Sequence, residues 1–274
     1  MSHTPSAEQL AQFQRIEATR PVALFYEYSA AAGDAVLPQL TKIAKNHGAS
    51  LIWAAREDQV FVGRLPEFQH AALIAFDHRD AASEMINDAA HGALMATLSQ
   101  VQVAVLGPQP SSIARLSNLL ARVLPCFPFD KSVDDSEEPG VGTSTVMPSA
   151  AAIAQLKAHP QPQVPVVMIN WFKYRDRAAY MKYGKVALQC THSSGAKLVY
   201  ISRYHQLLIG NGGDPATNLW DEFGLMQYPG RCAFTHMTTL KRYRKALHHR
   251  ESGLAEYGQG LTVTQPREEF IWRK

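Results

Sequence analysis

The feature that most constrains this chain is that it carries one pattern twice. Pro5-Ser6-Ala7-Glu8-Gln9-Leu10-Ala11-Gln12-Phe13 aligns with Pro148-Ser149-Ala150-Ala151-Ala152-Ile153-Ala154-Gln155-Leu156. Pro21-Val22-Ala23-Leu24-Phe25-Tyr26 aligns with Pro165-Val166-Val167-Met168-Ile169-Asn170. Further on, Gly48-Ala49 matches Gly195-Ala196, Arg56 matches Arg203, and Val62-Gly63 matches Ile209-Gly210. The offset drifts upward only slightly, so short loop insertions separate two copies of one architecture. Whatever unit forms must be buildable twice.

Each copy reads as strand, helix, strand, strand, helix, strand. In the first, Ser6 and Gln9 make a capping box for a short helix with Leu10, Phe13 and Ile16 on one stripe. Pro21 opens an apolar strand. Asp34 is expected to cap a helix carrying Leu37, Leu40 and Ile43, and Gly48 stands where a left-handed cap ends it. Strands follow from Ser50, over Ala71 to Phe76 and over Val101 to Leu106, with a helix after Asp80. The second copy places strands over Val166–Phe172, Lys197–Ile209 (bulged near Arg203), Trp220–Tyr228 and Leu261–Thr264, with helices after Asp176 and Gly230. The fold class this predicts is α+β: two tandem ferredoxin-like βαββαβ domains of the dimeric α+β-barrel type. Residues 1–110 form the first, divergent domain and residues 147–274 the second. Between them, residues 111–146 hold a helical stretch, Ser111 to Leu124, and an acidic Pro/Gly/Ser linker, Lys131 to Ser144. The nearly continuous apolar runs Val22–Tyr26 and Val166–Ile169 imply strands covered on both faces. Two sheets of one chain can supply that cover, or sheets of two chains; a homodimer is expected.

Charge and composition narrow the function classes. Among 274 residues, 27 basic and 24 acidic side chains leave a net charge of +3, with no dense Lys/Arg block, which argues against nucleic acid as a partner. No apolar run approaches the ~18 residues that span a bilayer, and the first residues are polar, so neither membrane nor export is expected and a cytoplasmic location is. Cys126, Cys190 and Cys232 are odd in number and far apart, which suits neither a disulfide framework nor a metal site.

Met147-Pro148-Ser149-Ala150 and Val164-Pro165-Val166-Val167-Met168-Ile169-Asn170-Trp171-Phe172-Lys173-Tyr174-Arg175-Asp176 resemble the opening of the small dimeric α+β-barrel family called domain of unknown function thirteen-thirty. Tyr228-Pro229-Gly230-Arg231 and His249-Arg250-Glu251-Ser252-Gly253-Leu254-Ala255 are similar to its closing helix. The resemblance spans residues 147–265, and residues 4–107 only through the repeat. In the first copy Tyr26-Glu27-Tyr28 replaces Asn170-Trp171-Phe172, and Lys173-Tyr174-Arg175-Asp176 has no counterpart. The resemblance implies a fold and a sheet-helix pocket for a small, largely apolar aromatic or acyl ligand. It implies no reaction.

Candidate chemistry sits in the second copy. Asn170 interrupts an apolar strand on the side of Met168 and Phe172, where an amide must bond either a backbone group, a neighbouring side chain or a ligand. Arg203 offers a planar fork for a carboxylate or phenolate, or an ion pair within the protein, and its apolar neighbours predict partial desolvation. His205 shares its face and can move a proton. Asn170, Arg203 and His205 are the expected catalytic residues of a cofactor-independent monooxygenase or an isomerase/cyclase, with Met168, Phe172, Tyr174, Tyr200, Tyr228 and His236 around the ligand. Haem held by a single histidine, from among His236, His248 and His249, is the alternative, and a non-catalytic binding or assembly module is a third. Those histidines lack the spacing of a closed metal site, so no metal is expected. The run Gly210-Asn211-Gly212-Gly213-Asp214 joins two strands and opens no helix, which fits a lid better than a phosphate cradle.

Overall fold

The computed structural model describes residues 3–31, 33–110, 144–210 and 220–271. The stretch read as an interdomain helix, the linker up to its last residue, Cys126 and the glycine-rich loop beyond Gly210 lie outside them.

The first copy runs α1 (Ala7–Phe13), β1 (Val22–Ser29), α2 (Val36–Asn46), β2 (Ser50–Val62), β3 (His70–Phe76), α3 (Arg79–Asn87), α4 (Ala89–Ala96) and β4 (Gln100–Leu106). The second runs α5 (Ala150–Ala158), β5 (Val166–Tyr174), α6 (Arg177–Ser193), β6 (Lys197–Ile209), β7 (Glu222–Tyr228), α7 (Arg231–Thr239), α8 (Lys241–Gly253) and β8 (Leu254–Pro266). Both are the βαββαβ units expected. In each copy the second crossover helix is broken in two. Asp88 ends α3 and caps α4, accepting from the Ala90 N–H, while extended Leu240 separates α7 from α8.

The eight strands of the described residues pair antiparallel and close into one barrel in the order β1-β3-β2-β8-β5-β7-β6-β4. Within each copy the order is the ferredoxin-like one, and the seams β2–β8 and β4–β6 join the copies. The two sheets thus cover each other within a single chain, and a second chain is not needed to complete the barrel. The symmetry reaches individual side chains. α1 lies on β6, where Gln206 donates to the Gln9 carbonyl; α5 lies on β2, where Gln59 donates to the Ala152 carbonyl. β2 and β6 are bulged at equivalent places, between Leu51 and Trp53 and between Leu198 and Tyr200. Gly48 (φ +71°) and Gly195 (φ +77°) end α2 and α6 in the left-handed region, which costs glycine nothing.

Three apolar layers result. One lies between the first sheet and its helices, one between the second sheet and its helices, and the third fills the barrel. The barrel interior is aromatic: Phe25 and Trp171 each pack on Phe223 with ring centroids 4.6 Å apart, and Trp53, Tyr200, Tyr204 and Trp220 surround them. This explains the continuous burial of β1, whose eight residues face either the helix layer or the barrel.

Candidate functional site

A cavity of about 760 Å³ lies in the helix layer of the second copy, between the outer face of β5, β6 and β7 and helices α6, α7 and α8. That size is ordinary for a small-molecule site. The same layer of the first copy is filled by Tyr26, Leu40, Met85 and Met95, all fully buried, and Tyr26 Oη lies 3.2 Å from Nε2 of buried His91.

The segment Tyr174-Arg175-Asp176 sets the cavity's roof. Asp176 Oδ1 accepts from the N–H groups of Ala178 and Ala179 and starts α6. Arg175 donates to the carbonyls of Glu251 and Ser252, closing the end of α8 where the helix dipole is negative. The Tyr174 N–H donates to Asp221, which fixes the start of β7. The residues missing from the first copy are therefore the ones that hold the two long helices over the sheet.

Strand alternation then decides which predicted residues meet. Met168, Asn170 and Phe172 of β5, Arg203 and His205 of β6, and Tyr228 of β7 all line the cavity. Asn170 is partly committed, because its Nδ2 donates to the Met168 carbonyl at 3.0 Å; of the alternatives for this amide, the backbone one holds for that atom. Arg203 is exposed, not desolvated as its apolar neighbours suggested, although it lines the cavity, across from Glu222 in the strand register. Its counterpart Arg56 is also exposed and pairs with Asp34 at 2.5 Å. His205 is half-buried, and its Nε2 is buried without a hydrogen-bond partner beside Gly107. Burial, with smaller contributions from Arg20 and Arg203, holds its pKa below the usual histidine value, so the ring is neutral at physiological pH.

Three predicted residues fall outside the lining. Tyr200 turns into the barrel and donates to the Gly107 carbonyl at 2.8 Å, because it stands on the face of β6 opposite Arg203. Tyr174 packs against the rings of Phe172 and Tyr180 instead of the cavity. His236 sits half-buried on α7 between the lining residues Thr235 and Met237 but is not itself part of the lining. Of the other histidines considered for haem, His248 is exposed and its ring lies 3.8 Å from that of His249; neither lines the cavity. None of the three histidines named for haem is a lining residue of this cavity. Among the described residues no group of three or more His, Cys, Asp or Glu side chains could hold a metal ion.

Residue patterning missed the buried end of the site. Arg250, 5% exposed, lines the cavity together with Tyr180, Tyr183 and Tyr243. The Tyr183 and Tyr243 hydroxyls are 2.9 Å apart, and the Arg250 guanidinium lies 5.8 Å from the Tyr183 ring. Arg250 was visible only as part of the family-like segment His249 to Ala255. A basic residue in a strongly basic helix gives no sign, in sequence, of facing inward.

No family model matches the chain, and no curated protein matches it. Several solved structures do. RPA0582, a protein of unknown function from Rhodopseudomonas palustris, is 25% identical over 46% of this chain and 99% of its own, with a TM-score of 0.41. A putative monooxygenase from Lactobacillus acidophilus is 9% identical over 90% of this chain and 94% of its own, with a TM-score of 0.44. Chlorite dismutase from Candidatus Nitrospira defluvii, solved with imidazole, is 9% identical over 96% of this chain and 98% of its own, with a TM-score of 0.46. The fold assignment rests on the strand order itself.

Proposed function

We propose that the second copy binds a small, largely apolar aromatic or acyl molecule in its sheet-helix cavity and acts on it without a cofactor by moving a proton, as an isomerase or cyclase does. One observation carries the reading: Asn170, Arg203 and His205, from two strands, line one cavity whose walls are otherwise mostly apolar and aromatic. Neutral His205 is in the right state to take a proton from a carbon next to a carbonyl. The C–H electron pair then forms a C=C bond while the C=O π pair moves onto oxygen, where the Arg203 guanidinium and the uncommitted N–H of Asn170 would stabilise the enolate. In a substrate with a neighbouring C=C bond the charge reaches the far carbon of the dienolate, and return of the proton there shifts the double bond and completes an isomerisation with no oxidant. A monooxygenase would use the same carbanion with dioxygen as co-substrate, the substrate carbon supplying the electrons and being oxidised to a carbonyl by one oxygen atom while the other leaves as water.

Two measurements test this. Mass spectrometry of small molecules released on denaturation should find a bound apolar compound, and Met168→Trp, which fills the cavity, should lose it. With that compound in D2O, the protein should catalyse carbon-bound deuterium uptake, and His205→Gln should slow it by ~100-fold or more. A retained compound with no exchange leaves a binding module. A compound that survives Met168→Trp puts the site elsewhere.

A further inference from the structure

The cavity contains a charge that nothing among the described residues neutralises. Arg250 projects from α8, whose other side is exposed, into a layer of rings, and the phenols of Tyr183, Tyr243, Tyr180 and Tyr228 face it. No carboxylate is among them. Burial pushes the Tyr180 and Tyr183 phenols above their usual pKa, so they are neutral dipoles at physiological pH and cannot balance the guanidinium. Arginine cannot escape by losing its proton. Elsewhere the chain does pair its most deeply buried arginine: Arg231, 1% exposed, is bonded to Asp58.

We propose that Arg250, with the hydroxyls of Tyr183 and Tyr243, is the binding site for the carboxylate of an amphipathic organic acid whose apolar body fills the cavity. The inference rests on the small-molecule reading above and adds to it the ligand's charge and orientation. The proton count of the two phenols supports it. They carry two hydroxyl protons, and the bond between them uses one. The other can be given to an anion, while the guanidinium offers its fork, so a carboxylate would meet donors from both. The lining as a whole is of matching sign: Arg20, Arg177, Lys185, Arg203 and Arg250 face one carboxylate, Glu222, which already pairs with Arg177 at 3.3 Å. The apolar remainder of the wall (Met168, Met226, Phe234, Leu261) suits an aliphatic or aromatic body. With its carboxylate at Arg250, such an acid would extend toward Arg203 and His205 at the exposed end. The carbons presented to His205 would then lie remote from the acid group.

The test uses the full chain, freed of retained compounds, with hexanoate, octanoate and decanoate set against the matching 1-alcohols, titrated calorimetrically. The expected result is that at least one acid binds tenfold or more tighter than its alcohol, the usual worth of a charged hydrogen bond. In Arg250→Met that preference should shrink to within threefold, and the melting temperature of the empty protein should stay level or rise, because an unpaired buried charge has been removed. In Arg250→Lys, which keeps the charge and loses the fork, the acid should weaken about tenfold with the alcohol unchanged. Equal binding of acids and alcohols by the unaltered protein overturns the carboxylate assignment and leaves the cavity reading standing. Binding of neither overturns both. An acid preference that survives both substitutions, or an Arg250→Met protein that fails to fold while Arg250→Lys binds acid with unchanged affinity, makes Arg250 a structural residue.

Discussion

Gly253 closes α8 against the turn that starts α6, and the approach is tight enough that a single carbon matters. A β-carbon there would lie 2.5 Å from the Tyr180 backbone nitrogen and 2.7 Å from its Cα. Both are main-chain atoms at the head of a helix, so they cannot swing aside as a flexible side chain would. Gly253→Ala should therefore cost ~1–3 kcal/mol, the usual cost of overpacking, read as a lower urea midpoint with an unchanged slope. Because Tyr180 packs on Tyr183 with centroids 5.5 Å apart, the substitution should weaken retention of the bound compound as well. Loss of less than ~0.5 kcal/mol would mean that the α6–α8 contact yields freely. At this scale the sequence is partly readable. Alternation within β5 and β6 correctly puts Asn170 with Met168 and Phe172, and Arg203 with His205. It misplaces the surroundings of Arg203, because burial of a long side chain depends on where the strand reaches the rim. It is silent on Arg250, because helix-facing direction needs a partner element that only the tertiary fold supplies.

Among elements, α6 is the one on which the site depends. It has 17 residues against 11 in α2, its counterpart in the first copy, and its inner face supplies one wall of the cavity. Its start is fixed by Asp176, whose carboxylate takes two of the four N–H groups that a helix leaves unbonded. Asp176→Ala should lower stability by ~1 kcal/mol, with Asp176→Asn recovering most of it, since an asparagine oxygen caps almost as well. Thermal melts of the pair check this; equal losses from both would assign the effect to charge and not to the cap. The helix start after Asp176 was readable from the sequence, as were Ser6 with Gln9, the left-handed Gly48 and the full length of β6, whereas Asp34, read as the cap of α2, pairs with Arg56 instead and leaves α2 without a side-chain cap. The break between α7 and α8 was not, since Leu240 carries no breaker signal and turns extended only because Met237, Tyr243 and Ala246 must all reach the same core. β8 also proved longer than its apolar segment Leu261–Thr264, running from Leu254, because pairing with β5 continues through residues that are not themselves apolar.

Across the whole molecule, the repeat announced two matching sheets, and the buried runs in β1 and β5 announced that they would be covered; closure within one chain required the seams β2–β8 and β4–β6, which no local pattern encodes. The closed barrel encloses one feature that makes its stability depend on pH. Glu27 stands on β1 where the second copy has Trp171, and it is 4% exposed inside the barrel. Burial pushes its pKa from 4.5 up to about 8, against a lesser opposing pull from the Trp171 N–H. Gln102 donates to its Oε2 at 3.2 Å. Glu57 on β2 is raised well above its usual value too, first by burial and then by the charge of Glu27. The folded chain thus keeps protons that the unfolded chain releases above pH ~4.5. Their stabilisation is complete below that pH and is lost as pH rises, through about 8 for Glu27. Buried His91, held neutral with its pKa lowered to about 4, works in the opposite sense and weakens the fold as pH falls below 6.5. Comparing the protein with Glu27→Gln cancels that shared term. Glutamine keeps the shape and the Gln102 bond but has no proton to lose. Between pH 5 and 8 the stability of Glu27→Gln relative to the unaltered protein should therefore rise by up to ~1.4 kcal/mol per pH unit, a few kcal/mol in all. Urea unfolding at four or five pH values measures it, and parallel curves for the two proteins would mean that Glu27 is ionised inside the barrel and paired by some group other than those named.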